Sequence, residues 1–250
     1  RLEPRRMTLS IYNPADEQQA ADARREKLAY IFGASGEPTP VGQASGDITL
    51  KLTKWDNSIR QIDCFLDGDF DYRIYPEKGA AEKVVVPLLA PDPLWYDPTE
   101  QNTSGGLTNG VTTNIDFSFS GLSKNTWDSW PIIELTGPLT TCQIQHTPGD
   151  ELIRLATAIP GGETFVFDLR PGQYPKVYRS SDSANRLSYI NSADLGSFSL
   201  MRVLGEKTAR AVNPGWVTSF NNNRFGFSSI TGATGASLAR VRFYRNYLSL

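Results

Sequence analysis

Short runs of alternating apolar and polar residues fill the chain from residue 111 onward, broken at intervals of roughly ten residues by Gly, Pro, Asn or Asp. Successive side chains of a strand point to opposite faces, so such alternation marks strands that bury one face. No helix pattern occurs among these runs. The spacing favours an all-β sandwich or barrel, with strands predicted in TTNIDFSFS, WPIIELTG, TTCQIQHT, ELIRLAT, TFVFDLR, KVYRS, FSLMRVL, GWVTSFNNN and LARVRFYRNYLSL.

The residues before position 91 predict a smaller β-sheet unit that carries one helix. Asn13 can cap this helix, Pro14 suits its first position and Gly33 can end it, and its narrow apolar side predicts that it lies on a sheet. A short DNS turn predicts a hairpin with a two- or three-residue loop. Strands are predicted in RMTLSIY, DITLKLTKW, SIRQIDCFL, DYRIY and EKVVVPLLA.

The stretch VVVPLLAPDPLWYDP runs from the last of these strands directly into a stiff segment of eight residues, PDPLWYDP. Proline fixes φ and removes a backbone donor, so three prolines within eight residues forbid a helix or a central strand there. Two large aromatic rings can pin the segment to a packed surface. We therefore predict a small ring-forming unit over residues 1–98, a β-sandwich over 99–250, and an inter-domain strut formed by Pro91, Asp92, Pro93, Trp95 and Tyr96. The alternative is an ordinary proline-rich surface loop.

Composition narrows the classes of partner. The net charge of −2 over 250 residues provides no polycationic face for nucleic acid. No run reaches the ~18 apolar residues of a membrane helix, and the start, RLEPRRMTLS, lacks the apolar core of a signal peptide. Cys64 and Cys142 both lie in apolar strand contexts, which predicts two buried thiols rather than a disulfide.

The parts of a familiar active site are scarce. His146 is the only histidine, so one chain cannot build a multi-histidine zinc site, and no nucleophile-elbow or phosphate-loop motif is present. The context of His146 favours a surface or turn-capping role over that of a catalytic base. Glu134, Glu163 and Asp168 could serve a glycosidase, but alternation predicts a solvated face for Glu134. We expect no enzyme, no cofactor and no metal, although weak calcium binding by the acidic turn DGDFD remains an alternative.

Aromatic residues in the second unit are more informative about function than its histidine and carboxylates. Trp127, Trp130 and Trp216 could stack on sugar rings, together with Phe220, Phe225 and Phe227. They could equally fill a sandwich core or a subunit interface, which we favour.

Several motifs follow one another in an order that resembles the distal tail protein family of long, non-contractile phage tails. They are LAPDPLWYDP, WPIIELTGP, GGETFVFDLRPG and RVRFYRNYLSL, and the stretch RRMTLSIY with the helix ADARREKLAYIF resembles the amino-terminal unit of that family. The similarity spans essentially the whole chain, and the order of the motifs is more specific than any one of them.

This resemblance implies a structural protein of the virion tail tip, assembled in the host cytoplasm. Its copies would form a ring, usually a hexamer, between the tail tube protein and the tail-tip hub or baseplate, with a galectin-like β-sandwich outside the ring and receptor-binding proteins as further partners. Family members have several strands before the counterpart of RRMTLSIY, so the first strands of the ring unit are expected to be missing here. The alternative function is a carbohydrate-binding adhesin, or an enzyme that degrades glycans, built on the same sandwich.

Overall fold

The computed structural model describes residues 3–13, 19–20, 22–24, 48–68, 71–74, 82–117, 127–147, 150–171, 173–205 and 223–247. The chain is mainly β, as its alternation predicts. It divides into two compact units, Arg1–Tyr96 and Asp97–Leu248, close to the boundary predicted at residue 98.

The first unit is built from antiparallel strands around β5. The strands are β1 (Arg5–Asn13), β2 (Ile48–Thr53), β3 (Ile59–Leu66), β4 (Asp71–Ile74), β5 (Glu82–Ala90) and β6 (Trp95–Tyr96). β5 pairs with β1 along its whole length, and also with β4 and with the end of β3. β3 pairs in turn with β2 and, at one residue, with β6. The most buried apolar side chains lie on β3 and β5: Ile62, Cys64, Val84, Val86, Leu88 and Ala90.

The predicted hairpin between β2 and β3 is confirmed. Five residues, 54–58, separate the two strands, and the Lys54 N–H donates to the Ser58 carbonyl, so the loop inside that hydrogen bond has three residues, 55–57. Asn57, the last of the three, adopts the left-handed conformation with φ 61°. Most of the predicted helix lies outside the described residues. Residues 19–20 and 22–24 are helical and exposed.

The second unit has two antiparallel sheets that share one core. Its strands are β7 (Gln101–Gly106), β8 (Thr113–Phe117), β9 (Ile132–Thr136), β10 (Thr141–Thr147), β11 (Glu151–Arg154), β12 (Thr164–Asp168), β13 (Val177–Arg179), β14 (Asn223–Thr231), β15 (Leu238–Phe243) and β16 (Asn246–Tyr247). One sheet has the order β11-β10-β14-β8, the other has the order β13-β12-β9-β15-β7, and β16 belongs to neither of them. Inward side chains from both sheets form the core of a sandwich, with Phe165, Phe167, Phe225 and Phe227 fully buried.

One strand prediction for the second unit is wrong, and two of its strands, β7 and β14, were not predicted. The run FSLMRVL was predicted to be a strand, but a single-turn helix, α1 (Ser197–Leu200), begins one residue before it. β14 lies between β10 and β8 and was not predicted, although Phe225, Phe227 and Ile230 mark its buried side. Most of the strand predicted in GWVTSFNNN falls outside the described residues.

Candidate functional site

The proline-rich segment before the second unit is fastened to the first. Pro91 and Asp92 are exposed, whereas Pro93, Leu94 and Trp95 are buried, with Trp95 only 6% exposed. The Tyr96 hydroxyl donates to the Asp63 carboxylate of β3, 3.1 Å from either oxygen, and the Leu94 backbone N–H donates to Asp92 Oδ1. The segment is thus a docked extension of the first unit. Its role as a strut between units stays a prediction.

The predicted sugar-stacking tryptophans do not form a described platform. Trp127 and Trp130 are half-buried, and Trp216 lies outside the described residues. The backbone N–H of Trp127 donates to the Asn246 carbonyl at 3.1 Å. Gly205 approaches the Trp127 backbone so closely that a Cβ on it would lie 2.5 Å from the carbonyl carbon. The segment that carries both rings is therefore packed in place, and each ring offers only part of its surface.

His146 is a core residue, and its predicted position on the surface or in a turn is wrong. Its side chain is 1% exposed, because the alternation of β10 points it inward with Cys142 and Ile144. The ring packs against Phe225 at 4.8 Å between centroids, and Nδ1 lies 3.0 Å from Glu151 Oε2. No hydrogen-bond partner of Nε2 occurs in the described part of the chain. A histidine this enclosed cannot reach a substrate from solvent.

The contact with His146 affects the pKa of the Glu151 carboxyl. Burial acts to raise its pKa, but the hydrogen bond from His146 and the charge of Arg202 act in the other direction, and the net effect lowers the pKa. Arg202 also binds Asp128, with Nε 3.0 Å from Oδ2. Asp128 in turn accepts the Gly205 backbone N–H. These polar groups tie β10 and β11 to the segments that flank them.

The three candidate glycosidase carboxylates are each bound to arginine. Glu134 was predicted to be solvated, but it is only half-exposed and accepts from Arg242 Nε at 2.9 Å. Asp168 is buried and forms a two-pronged pair with Arg170, whose pKa rises through that hydrogen bond. Glu163 pairs with Arg179 at 2.9 Å. Carboxylates engaged in this way hold the fold together and are poor candidates for an acid and a nucleophile.

The outer face of the five-stranded sheet carries an Arg–Glu network that the sequence analysis missed. Arg242 also binds Glu100 at 3.0 Å, and Arg240 lies 3.6 Å from Glu100 and 3.7 Å from Glu134. Arg240 stands directly opposite Glu134 across β15 and β9. Alternating arginines in RVRF were a visible signal, but their partners depend on the strand register.

The two cysteines are free, buried thiols, as predicted. Burial raises the pKa of Cys64 to about 11 and that of Cys142 to about 12. Both remain protonated near neutral pH, which makes them poor nucleophiles and poor metal ligands. Within the described ranges no three His, Cys, Asp or Glu side chains gather as a metal site would require. Of the acidic turn DGDFD, Asp69 and Phe70 lie outside those ranges.

No helix among the described residues combines the length and the apolar character needed to cross a membrane. The chain matches no family model and no curated protein. Its functional assignment therefore depends on its motifs and on the surfaces that the two units present.

Proposed function

We propose that this chain is a structural subunit of a phage tail tip. Its copies form a ring, with six copies as the expected number, and the ring joins the tail tube to the tail-tip hub or baseplate. The first unit builds the ring, and the sandwich, with a galectin-like fold, lies outside it. The Pro91–Tyr96 segment acts as the strut between the two units.

The observation that carries the proposal is the order of the family-like motifs. LAPDPLWYDP covers the end of β5 and all of β6, and WPIIELTGP contains β9. GGETFVFDLRPG contains β12, and RVRFYRNYLSL contains most of β15 and all of β16. Each motif thus carries a strand of one unit or the other, so the resemblance involves residues that build the fold.

The surface of the first unit supports self-association. Met7, Leu9 and Ile11 of β1 lie opposite the fully buried Leu88, Val86 and Val84, yet they are only half-buried. On β2, Leu50 is half-buried and Leu52 is exposed. A small unit that leaves apolar strand positions accessible gains stability when further copies cover them.

The charges of the described residues also suit a structural role. The carboxylates considered for catalysis are bound to arginines, and His146 is enclosed in a core. Pairs of this kind orient strands and keep a face electrically neutral.

The test combines mass measurement of the purified full chain with antibody labelling of phage particles. We expect closed rings in negative-stain images and label confined to the tail tip. A chain that stays monomeric at high concentration and is absent from the tail tip contradicts the proposal. Selective glycan binding by such a monomer would instead support the adhesin alternative.

A further inference from the structure

We draw no further inference here: the strongest candidate, the apolar surface patch that β1 and β2 leave accessible in the first unit, carries nothing beyond the self-association already proposed, because nothing in the described residues shows what covers it.

Discussion

Asp194 shows how one residue can organise a whole edge of the sandwich. Its buried carboxylate accepts from the backbone N–H of Arg154 and from Nε and a terminal nitrogen of the same guanidinium. The hydrogen bonds from the Arg154 side chain are the main reason that the pKa of Asp194 lies below its ordinary value. The pair thereby fixes the end of β11 against the turn that contains Asp194.

Replacing Asp194 by Asn should lower the free energy of unfolding by about 1–3 kcal/mol at neutral pH, as expected for hydrogen bonds to a charged group. A lowered folded-state pKa means that the carboxylate stabilises the fold above the unfolded pKa of about 3.9, and that this stabilisation is lost as the pH falls further. The difference in free energy of unfolding between wild type and Asp194→Asn should therefore be largest at pH 7 and should disappear below about pH 4. Urea unfolding at both pH values measures it.

Asp116→Asn is the matched control for this prediction. Asp116 also binds a guanidinium through both oxygens, that of Arg224, but both side chains are exposed. Exposed pairs contribute about 0–1 kcal/mol, so this variant should unfold nearly like wild type. An equal loss of free energy of unfolding in the two variants would show that burial does not strengthen the Asp194–Arg154 pair.

At this scale, sequence predicts whether a side chain faces inward better than it predicts its partner. The thiols of Cys64 and Cys142 follow from strand alternation alone. His146 was assigned to the surface because its strand runs into a turn, yet it keeps the inward phase of β10 up to the last residue but one. Glu134 has the outward phase that alternation predicts, but its arginine partners come from β15, more than a hundred residues away. Pairings across strands depend on register, which local sequence does not specify.

Among the elements, the two-residue strand β6 depends on the burial of a single ring. Trp95→Ala should lower the free energy of unfolding of the first unit by about 3–5 kcal/mol, since Trp95 is almost fully buried and its loss leaves a cavity. Trp55→Ala is the matched control in the same unit, and an exposed ring should contribute less than about 0.5 kcal/mol. Denaturant unfolding of dilute, monomeric chains compares the two. Similar losses would contradict the burial of Trp95.

Strands with clear alternation are predictable, and strands without it are not. β8, β9 and β10 lie where alternation places them. β7 has the sequence QNTSGG, with no apolar residue to mark a face, and it exists because its backbone pairs with β15 from Leu238 to Phe243. β14 carried a usable signal in Phe225 and Phe227. The intervening Gly226 pairs with residues of β10 and β8. Glycine has a low strand propensity, so it lowers the strand signal of this sequence.

At the scale of the whole molecule, the cores of the two units lie on separate sets of strands. The buried cluster of the second unit draws on both of its sheets, from Leu107 to Phe243, and contains no residue of the first unit. The first unit has its own buried positions on β3 and β5. A chain with two cores is expected to unfold in more than one step, because each core can be lost while the other remains packed.

Calorimetry of the full chain should therefore show two transitions that respond to different variants. Trp95→Ala should lower one of them by more than about 12 °C, since 1 kcal/mol shifts the transition of a domain of 60–100 residues by roughly 4–8 °C. Asp194→Asn should lower the other by roughly 2–4 °C for each kcal/mol lost, because the second unit is larger. The double variant should show both shifts, because the two residues belong to different units. A single transition that moves with either substitution would mean that the two cores melt as one cooperative unit.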